Sequence, residues 1–499
     1  MNSVYSFINQ VVKYLFYIST LIIFFCVLLS RTESIRIANI ILLVTNIVSL
    51  YPLYLKLRNR EIQIIDPIIY IMLYFSFAYV WNSVYQMNSD YFIYKLAHSQ
   101  YRFQPFKEGN NVLFVLFLLA SVMLQLGYWS MQRILNHKQK PFALHTNEIE
   151  SLGHNFGMFE FFYLVLIIIK TYLYFTGQLG SAGNQFVTNI FYSAINILLL
   201  YSSVFLIITF IKHYDYNKLF FYFCFFVEFS CFMISGNRRD CLYMIIAIMI
   251  CAVSKGININ IKSLSKYALL FLLIIWPLLN LGNDLANYKM SKSNSRINLK
   301  VEDLVNYISS DKKEKISGGK QSAGIIRIVS TEHLTQNIVA YDNMYKSGYK
   351  AGPVGLYTIF SNILPSFLME RTNSNLIDIY QQYAYKNFTK MRTVLAFDLI
   401  AELIMSYGPV GVLFIFFSGA LWAYLFYLFS NATIFYKLIY LSNYYRFSFG
   451  IFDNRVVGDT VVFVKLMFLL LIIAIMSQLL NIKFLQFKSI STQIDEQQN

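Results

Sequence analysis

The sequence predicts an all-α fold: a polytopic integral membrane protein of about twelve transmembrane helices with one large outer loop. Three observations predict it. Of 499 residues, 57% are hydrophobic and 13% charged, and mean hydropathy is +0.50, a balance that leaves too little polar surface for a soluble domain. Apolar segments of near-spanning length recur from end to end. Short polar connectors separate them, which suits helices because lipid offers open backbone groups no other partner.

The first apolar run, Val12 to Leu29, has no small-residue cleavage site and is followed at once by another, so it reads as a retained span and not a signal peptide. Spans are expected at 8–29, 37–55, 63–82, 111–131, 158–176, 189–211, 219–235, 241–260, 266–282, 409–430, 433–452 and 460–481. With the N-terminus inside, the inner connectors carry Lys56, Arg58 and Arg60, then Arg133, Lys138 and Lys140, then Lys212 and Lys218, then Lys255, Lys262 and Lys266, and later Lys437, Lys483 and Lys488. The opposite connectors hold fewer: Arg31 and Arg36, then Lys95, Arg102 and Lys107, then no charge in TGQLGSAGNQ. Positive-inside bias therefore predicts a multi-pass protein with both termini cytoplasmic.

The five cysteines, Cys26, Cys224, Cys231, Cys241 and Cys251, lie in or beside apolar runs without CxxC or Cys/His spacing, and read as packing residues. A net charge of +15 would suggest nucleic acid in a soluble protein. Here topology accounts for part of it, and anionic lipid or a lipid-linked phosphate substrate for more, with no nucleic-acid partner expected.

The segment FMISGNRRDCLYMI, residues 232–245, places Arg238, Arg239 and Asp240 within a largely apolar stretch from Leu219 to Val253. An arginine at the bilayer centre costs about 2.5 to 3.5 kcal/mol on insertion scales, so a pair requires a boundary or a wet cavity. On the expected topology GNRRD lies outside, where a topology anchor would not be. The run from Cys241 to Val253 spans only about 20 Å against a hydrocarbon core of about 30 Å. The favoured expectation is a recessed turn opening into a water-filled cavity; the plainer one is a surface hairpin whose arginines snorkel to lipid phosphates.

Residues 283–395 form the expected outer loop, polar and Gly/Ser/Lys-rich in its first half, with VGLYTIFSNILPSFLME in its second reading as an interfacial or cavity-lining helix. It holds fifteen Lys/Arg against nine Asp/Glu, an anion-attracting balance. The chain thus divides into an N-terminal bundle (1–282), this loop (283–395), C-terminal transmembrane helices (396–482) and a cytoplasmic tail (483–499). No internal repeat or two-half symmetry is visible.

Arginine suits pyrophosphate because its planar fork donates to two oxygens and stays charged. Arg238, Arg239, Arg327, Arg392 and Arg455 all fall on the expected outer side or its membrane edge, and together they form a candidate anion cradle. For any single one, Arg455 above all, a salt bridge or snorkelling anchor is an equal reading. Candidates for proton transfer are Asp240, Glu332, His333, Asp398 and Glu402. Asp398 and Glu402 are four apart and share a helix face, where pairing with Arg392 is a structural alternative. Lys170 and Glu228 also sit inside apolar runs, either neutralising one another or facing a cavity. No phosphate loop, HExxH, DxD or Ser/His/Asp order appears, and the expected inner loops are too short for a cytoplasmic catalytic domain.

SGNRRD after an apolar helix, the long outer loop, and AFDLIAELIMSYGPVGVLFIFFSGALWAYL together resemble the Wzy-type oligosaccharide repeat-unit polymerases of O-antigen and capsule assembly. Most specific are the Ser-Gly-x-Arg turn and the acidic residue before Tyr-Gly-x-x-Gly, here Glu402 with Tyr407, Gly408 and Gly411. The resemblance covers most of the chain in short motifs. It implies a GT-C-like membrane glycosyltransferase of the ligase and polymerase type, acting without metal or cofactor on undecaprenyl-pyrophosphate-linked oligosaccharide at the outer face. It also implies a chain-length regulator and a flippase as pathway partners. In the implied mechanism a sugar hydroxyl of one unit attacks the anomeric carbon of the growing chain and undecaprenyl pyrophosphate leaves. Arg238 and Arg239 stabilise the departing charge, Arg327, Arg392, Arg455, Asp240 and Tyr407 bind substrate, and Asp398, Glu402 or His333 takes the proton. Competing readings are an O-antigen ligase, a lipid-linked oligosaccharide flippase, and an inactive subunit of an export complex. A flippase should show short loops, two similar halves and cations through its centre.

Overall fold

The computed structural model describes residues 2–30, 32–88, 111–135, 142, 156–175, 202–213, 218–234, 238–254, 399–442, 444 and 475. These residues are helical and contain no strand. The helices are α1 (Asn2–Leu28), α2 (Glu33–Arg58), α3 (Pro67–Phe75), α4 (Asn82–Asn88), α5 (Asn111–Leu135), α6 (Phe156–Phe175), α7 (Ser202–His213), α8 (Lys218–Ile234), α9 (Arg238–Ser254), α10 (Leu399–Tyr407), α11 (Ile415–Ser430) and α12 (Ile434–Ser442). A π-helical turn, Ser76–Trp81, joins α3 to α4, and a 3-10 turn, Pro409–Phe414, leads into α11.

Among the described residues five helical stretches are long and apolar enough to cross a membrane: Tyr5–Leu28, Glu33–Arg58, Pro67–Val84, Asn111–Leu135 and Pro409–Ser430. The described residues are therefore all-helical, and their long apolar helices mark a membrane-embedded protein. The expected spans at 8–29, 37–55, 63–82, 111–131 and 409–430 coincide with these stretches; those at 266–282 and 460–481 lie almost wholly outside the described residues. Burial separates rim from centre. Only 22% of the first span's apolar window is buried against 67% of the third's, so α1 turns its apolar surface toward lipid while α3 lies within the bundle.

Since lipid is as apolar as leucine, helices here are held by close packing and interhelical hydrogen bonds more than by the hydrophobic effect. Both devices are present. Asn46 on α2 donates to Ser19 Oγ at 2.8 Å and Thr20 Oγ1 at 3.2 Å on α1, and accepts from the Trp81 indole at 3.2 Å. Ser49 meets Ser121 at 2.8 Å, and Gln125 donates to the Val48 carbonyl at 2.8 Å, tying α2 to α5. Among the described residues the most extensive interhelical contact is α5 on α11. It requires Gly127 and Gly419: a Cβ on either would run into the opposing backbone, at the Phe416 carbonyl and the Leu124 carbonyl respectively.

Helix ends gather in a consistent order. Tyr5, near the start of α1, donates to the carbonyl of Leu57 at 2.6 Å. Lys56, near the end of α2, lies 4.4 Å from the ring centroid of Trp129 on α5. Phe142, beyond α5, packs against Phe426 and Tyr440 with centroids 6.1 and 5.7 Å apart. The end of α2, the end of α5, the end of α11 and the Tyr440 turn of α12 thus share one end of the bundle, which carries Lys56, Arg58, Arg60 and Arg133. Lys437, counted from sequence among the connector charges, is instead buried within α12.

The turn after α2 shows how closely this end is built. Arg60 has φ 58°, a left-handed conformation that lets Glu61 N–H reach the Lys56 carbonyl at 2.9 Å and closes the helix. Asn59 and Lys56 hold the Glu61 carboxyl below its ordinary range by donating to it.

Candidate functional site

Sequence reasoning placed a turn at GNRRD. The helix α8 ends at Ile234 and α9 starts at Arg238, so Arg238, Arg239 and Asp240 are not turn residues but the first turn of α9. Arginine has high helix propensity, so a charged pair at the edge of an apolar run can belong to the helix that follows. The same shift answers the length problem. Taking these three residues, α9 has 17 residues and about 25 Å of length without drawing on GININI. The expectation that the helix runs on to 260 falls outside the described residues past Ser254.

This placement has an electrostatic consequence. A helix N-terminus carries about half a positive charge from its free N–H groups, so cations in the first turn are unfavourable there by about 0.3–1 kcal/mol each. Asp240 is favourable in the same turn. Two arginines on a positive helix end concentrate positive potential where an anion gains from both. α9 packs against α7, α8 and α12.

The second candidate element is α10 with its exit. Glu402 lies on α10 and Tyr407 closes it. Ile400 and Ile404, one turn apart, are buried and fix the helix against the bundle. Gly408 follows with φ 74° and ψ −168°, a region open essentially to glycine alone, and its N–H donates to the Ile404 carbonyl at 2.8 Å. Pro409 then opens the 3-10 turn, and Gly411 N–H returns to the Gly408 carbonyl at 2.9 Å. Gly411 sits so close to the end of α10 that a Cβ would meet the Leu403 carbonyl. Tyr407 is 37% exposed and packs on Phe414 at 5.1 Å between centroids.

The Tyr-Gly-x-x-Gly motif is therefore the corner that folds α10 back onto 409–414. Its glycines have a conformational role that needs no chemistry. Gly408→Ala is expected to cost about 1–3 kcal/mol from backbone strain alone. Gly411→Ala should destabilise as well, through the Leu403 carbonyl. Thermal unfolding in detergent checks both, and unfolding midpoints equal to wild type would remove this account of the corner.

The structure does not make α9 and α10 principal neighbours. α9 lies against α7, α8 and α12, whereas α10 lies against the 3-10 turn. His333, Asp398, Arg327, Arg392 and Arg455 lie outside the described residues, as does Glu332. Of the candidate residues, Arg238, Arg239 and Asp240 thus open α9, and Glu402 and Tyr407 lie on α10.

Lys170 and Glu228, left open between mutual neutralisation and a cavity, neutralise one another. The Lys170 ammonium is hydrogen-bonded to Glu228 Oε2, with the two side chains 4% and 1% exposed. Tyr163 donates to Glu228 Oε1 at 3.5 Å. Cys224, Cys231 and Cys251 are buried and Cys26 partly so, consistent with packing; the side chain of Cys241 is not described.

One polar centre was missed from sequence. Asp66 caps α3, accepting from Ile68 N–H at 3.2 Å, and is also bonded by the Tyr128 hydroxyl from α5. An acidic residue directly before a proline that opens an apolar run is a helix-start signature, and it was available in DPIIYIML. What no local pattern could supply is Tyr128, 62 residues away.

No family model, curated protein or solved structure matches this chain.

Proposed function

We propose that this protein polymerises undecaprenyl-pyrophosphate-linked oligosaccharide repeat units at the outer face of the bacterial cytoplasmic membrane. The observation that carries the reading is the position of Arg238 and Arg239 in the first turn of α9, in a membrane-embedded helical chain. Two permanent cations on the positive end of a helix form a poor arrangement by themselves and a good one around a diphosphate. The motif resemblance supplies the reaction: a sugar hydroxyl attacks the anomeric carbon, that carbon's bond to the pyrophosphate oxygen breaks, and the arginines stabilise the charge that leaves. Glu402 is the base this chain offers on a described helix, with Asp398 and His333 as the other candidates. Arg327, Arg392, Arg455, Asp240 and Tyr407 would bind substrate, with a chain-length regulator and a flippase working beside the enzyme.

The test is deletion of the gene followed by gel and mass-spectrometric analysis of the surface glycan. A polymerase mutant still translocates single units, so a ladder collapsing to one repeat on the final acceptor is the expected outcome. Complete loss of outward-facing repeats, with lipid-linked units held on the cytoplasmic leaflet, would overturn the reading in favour of a flippase. A full ladder left on its lipid carrier would point to a ligase.

A further inference from the structure

At the start of α3, Asp66 is 1% exposed. Its Oδ1 atom is well served, accepting from Ile68 N–H at 3.2 Å and from the Tyr128 hydroxyl. Its Oδ2 atom is buried and has no hydrogen-bond partner among the described residues. The groups that face it come from three directions. Tyr128 arrives from α5, while Tyr440 on α12 and Tyr444, two residues beyond α12, feel its charge. Lys56 from α2 is the cation whose field reaches it, and that ammonium is already engaged by Glu61 at 3.1 Å and the ring of Trp129. Tyr444 spends its hydroxyl on the Ile65 carbonyl at 2.7 Å, next to Asp66, and its ring meets Tyr70 edge-on at 5.5 Å.

A carboxylate here would leave a charged oxygen buried among aromatic rings, whereas a carboxylic acid removes the charge and keeps both bonds to Oδ1. We propose that Asp66 is a proton-binding site whose neutral form holds α3, α5 and the α12 segment together at this end of the bundle. Burial pushes its carboxyl up to about 7 from 3.8, against the opposing pull of the Tyr128 hydroxyl, the Ile68 N–H and Lys56. The native state therefore binds this proton more tightly than the unfolded chain does. Its contribution to stability is complete below the unfolded value near 3.8, declines as pH rises, and is gone above the folded value near 7. The three helices should thus pack most firmly on the acid side of neutrality.

The experiment uses the full-length protein in lipid nanodiscs, titrated across about pH 5 to 9 with infrared detection of the protonated carboxyl stretch and with thermal unfolding in parallel. Wild type should show a carboxyl band that disappears with a midpoint near 7, absent in Asp66→Asn. Asp66→Asn should match the acid-side stability of wild type and lose the decline across this window. Tyr128→Phe removes a donor that favours the ionised form, so its midpoint should move to higher pH. A purely structural tyrosine would leave the midpoint alone. Three outcomes overturn the proposal: no titrating band attributable to Asp66, an unchanged or lowered midpoint in Tyr128→Phe, or an Asp66→Asn protein less stable than wild type on the acid side. Should Asp66→Asn fail to fold, the wild-type band and its displacement in Tyr128→Phe decide the matter without it.

Discussion

Replacing Arg238 or Arg239 with alanine should lower polymer formation by about 30- to 1,000-fold while the protein remains inserted and folded. The lower figure corresponds to losing about 2 kcal/mol of charge-assisted contact to the leaving diphosphate, the upper to about 4 kcal/mol. Position in the helix makes the prediction sharper than sequence alone allowed. Both residues are in the first turn of α9, where a cation opposes the helix dipole and alanine is a better helix former. The alanine variants should therefore be no less stable than wild type, and loss of product cannot be charged to loss of fold. Lysine should restore activity only in part, because an ammonium cannot place two parallel donors on two oxygens. If instead these arginines only snorkel to lipid phosphates, both alanine variants will make normal polymer per molecule. That result would take them out of the site.

The helix start at Arg238 also shows what a sequence does and does not disclose. Apolar runs of spanning length located α1, α2 and α5 to within a few residues, since a bilayer sets both length and composition. Lys170 and Glu228 could be suspected of pairing because two isolated charges in apolar runs have few other ways to exist. By contrast, charge alone does not say on which side of a helix boundary a residue falls, and Arg238, Arg239 and Asp240 open α9. The Tyr-Gly-x-x-Gly corner was legible as a motif but not as geometry: φ 74° at Gly408 and the approach of Gly411 to the Leu403 carbonyl are properties of a folded corner. Asp66 is the deepest omission. Its partner Tyr128 comes from a helix far along the chain, and no periodicity carries that information. For the candidate site, the described residues give the start of α9 at Arg238 and the α10 corner, and the remaining arginines, Asp398 and His333 rest on sequence.

Lys170 and Glu228 are the place where a single substitution should do most harm to the fold. Both side chains are almost fully buried, on α6 and α8, and the ammonium is hydrogen-bonded to the carboxylate. Tyr163 at 3.5 Å from Glu228 and Thr171 at 3.6 Å from Cys231 extend the same contact along the two helices. Lys170→Ala leaves the buried Glu228 carboxylate without the ammonium that pairs with it, and Glu228→Ala takes that carboxylate from Lys170; such truncations cost about 3–5 kcal/mol. Lys170→Ala and Glu228→Ala should each lower the unfolding midpoint sharply and reduce the amount of inserted protein. Replacing both at once is a different experiment, since an apolar pair of similar volume leaves no charge behind and is often neutral or stabilising. Lys170→Met combined with Glu228→Leu should therefore recover most of the stability lost by either alanine variant, with polymer per molecule at the wild-type level. A double variant that folds well yet makes no polymer would mean that the pair faces the substrate path. A double variant as unstable as the single ones would mean that the pair contributes specific geometry between α6 and α8 that packing alone cannot replace.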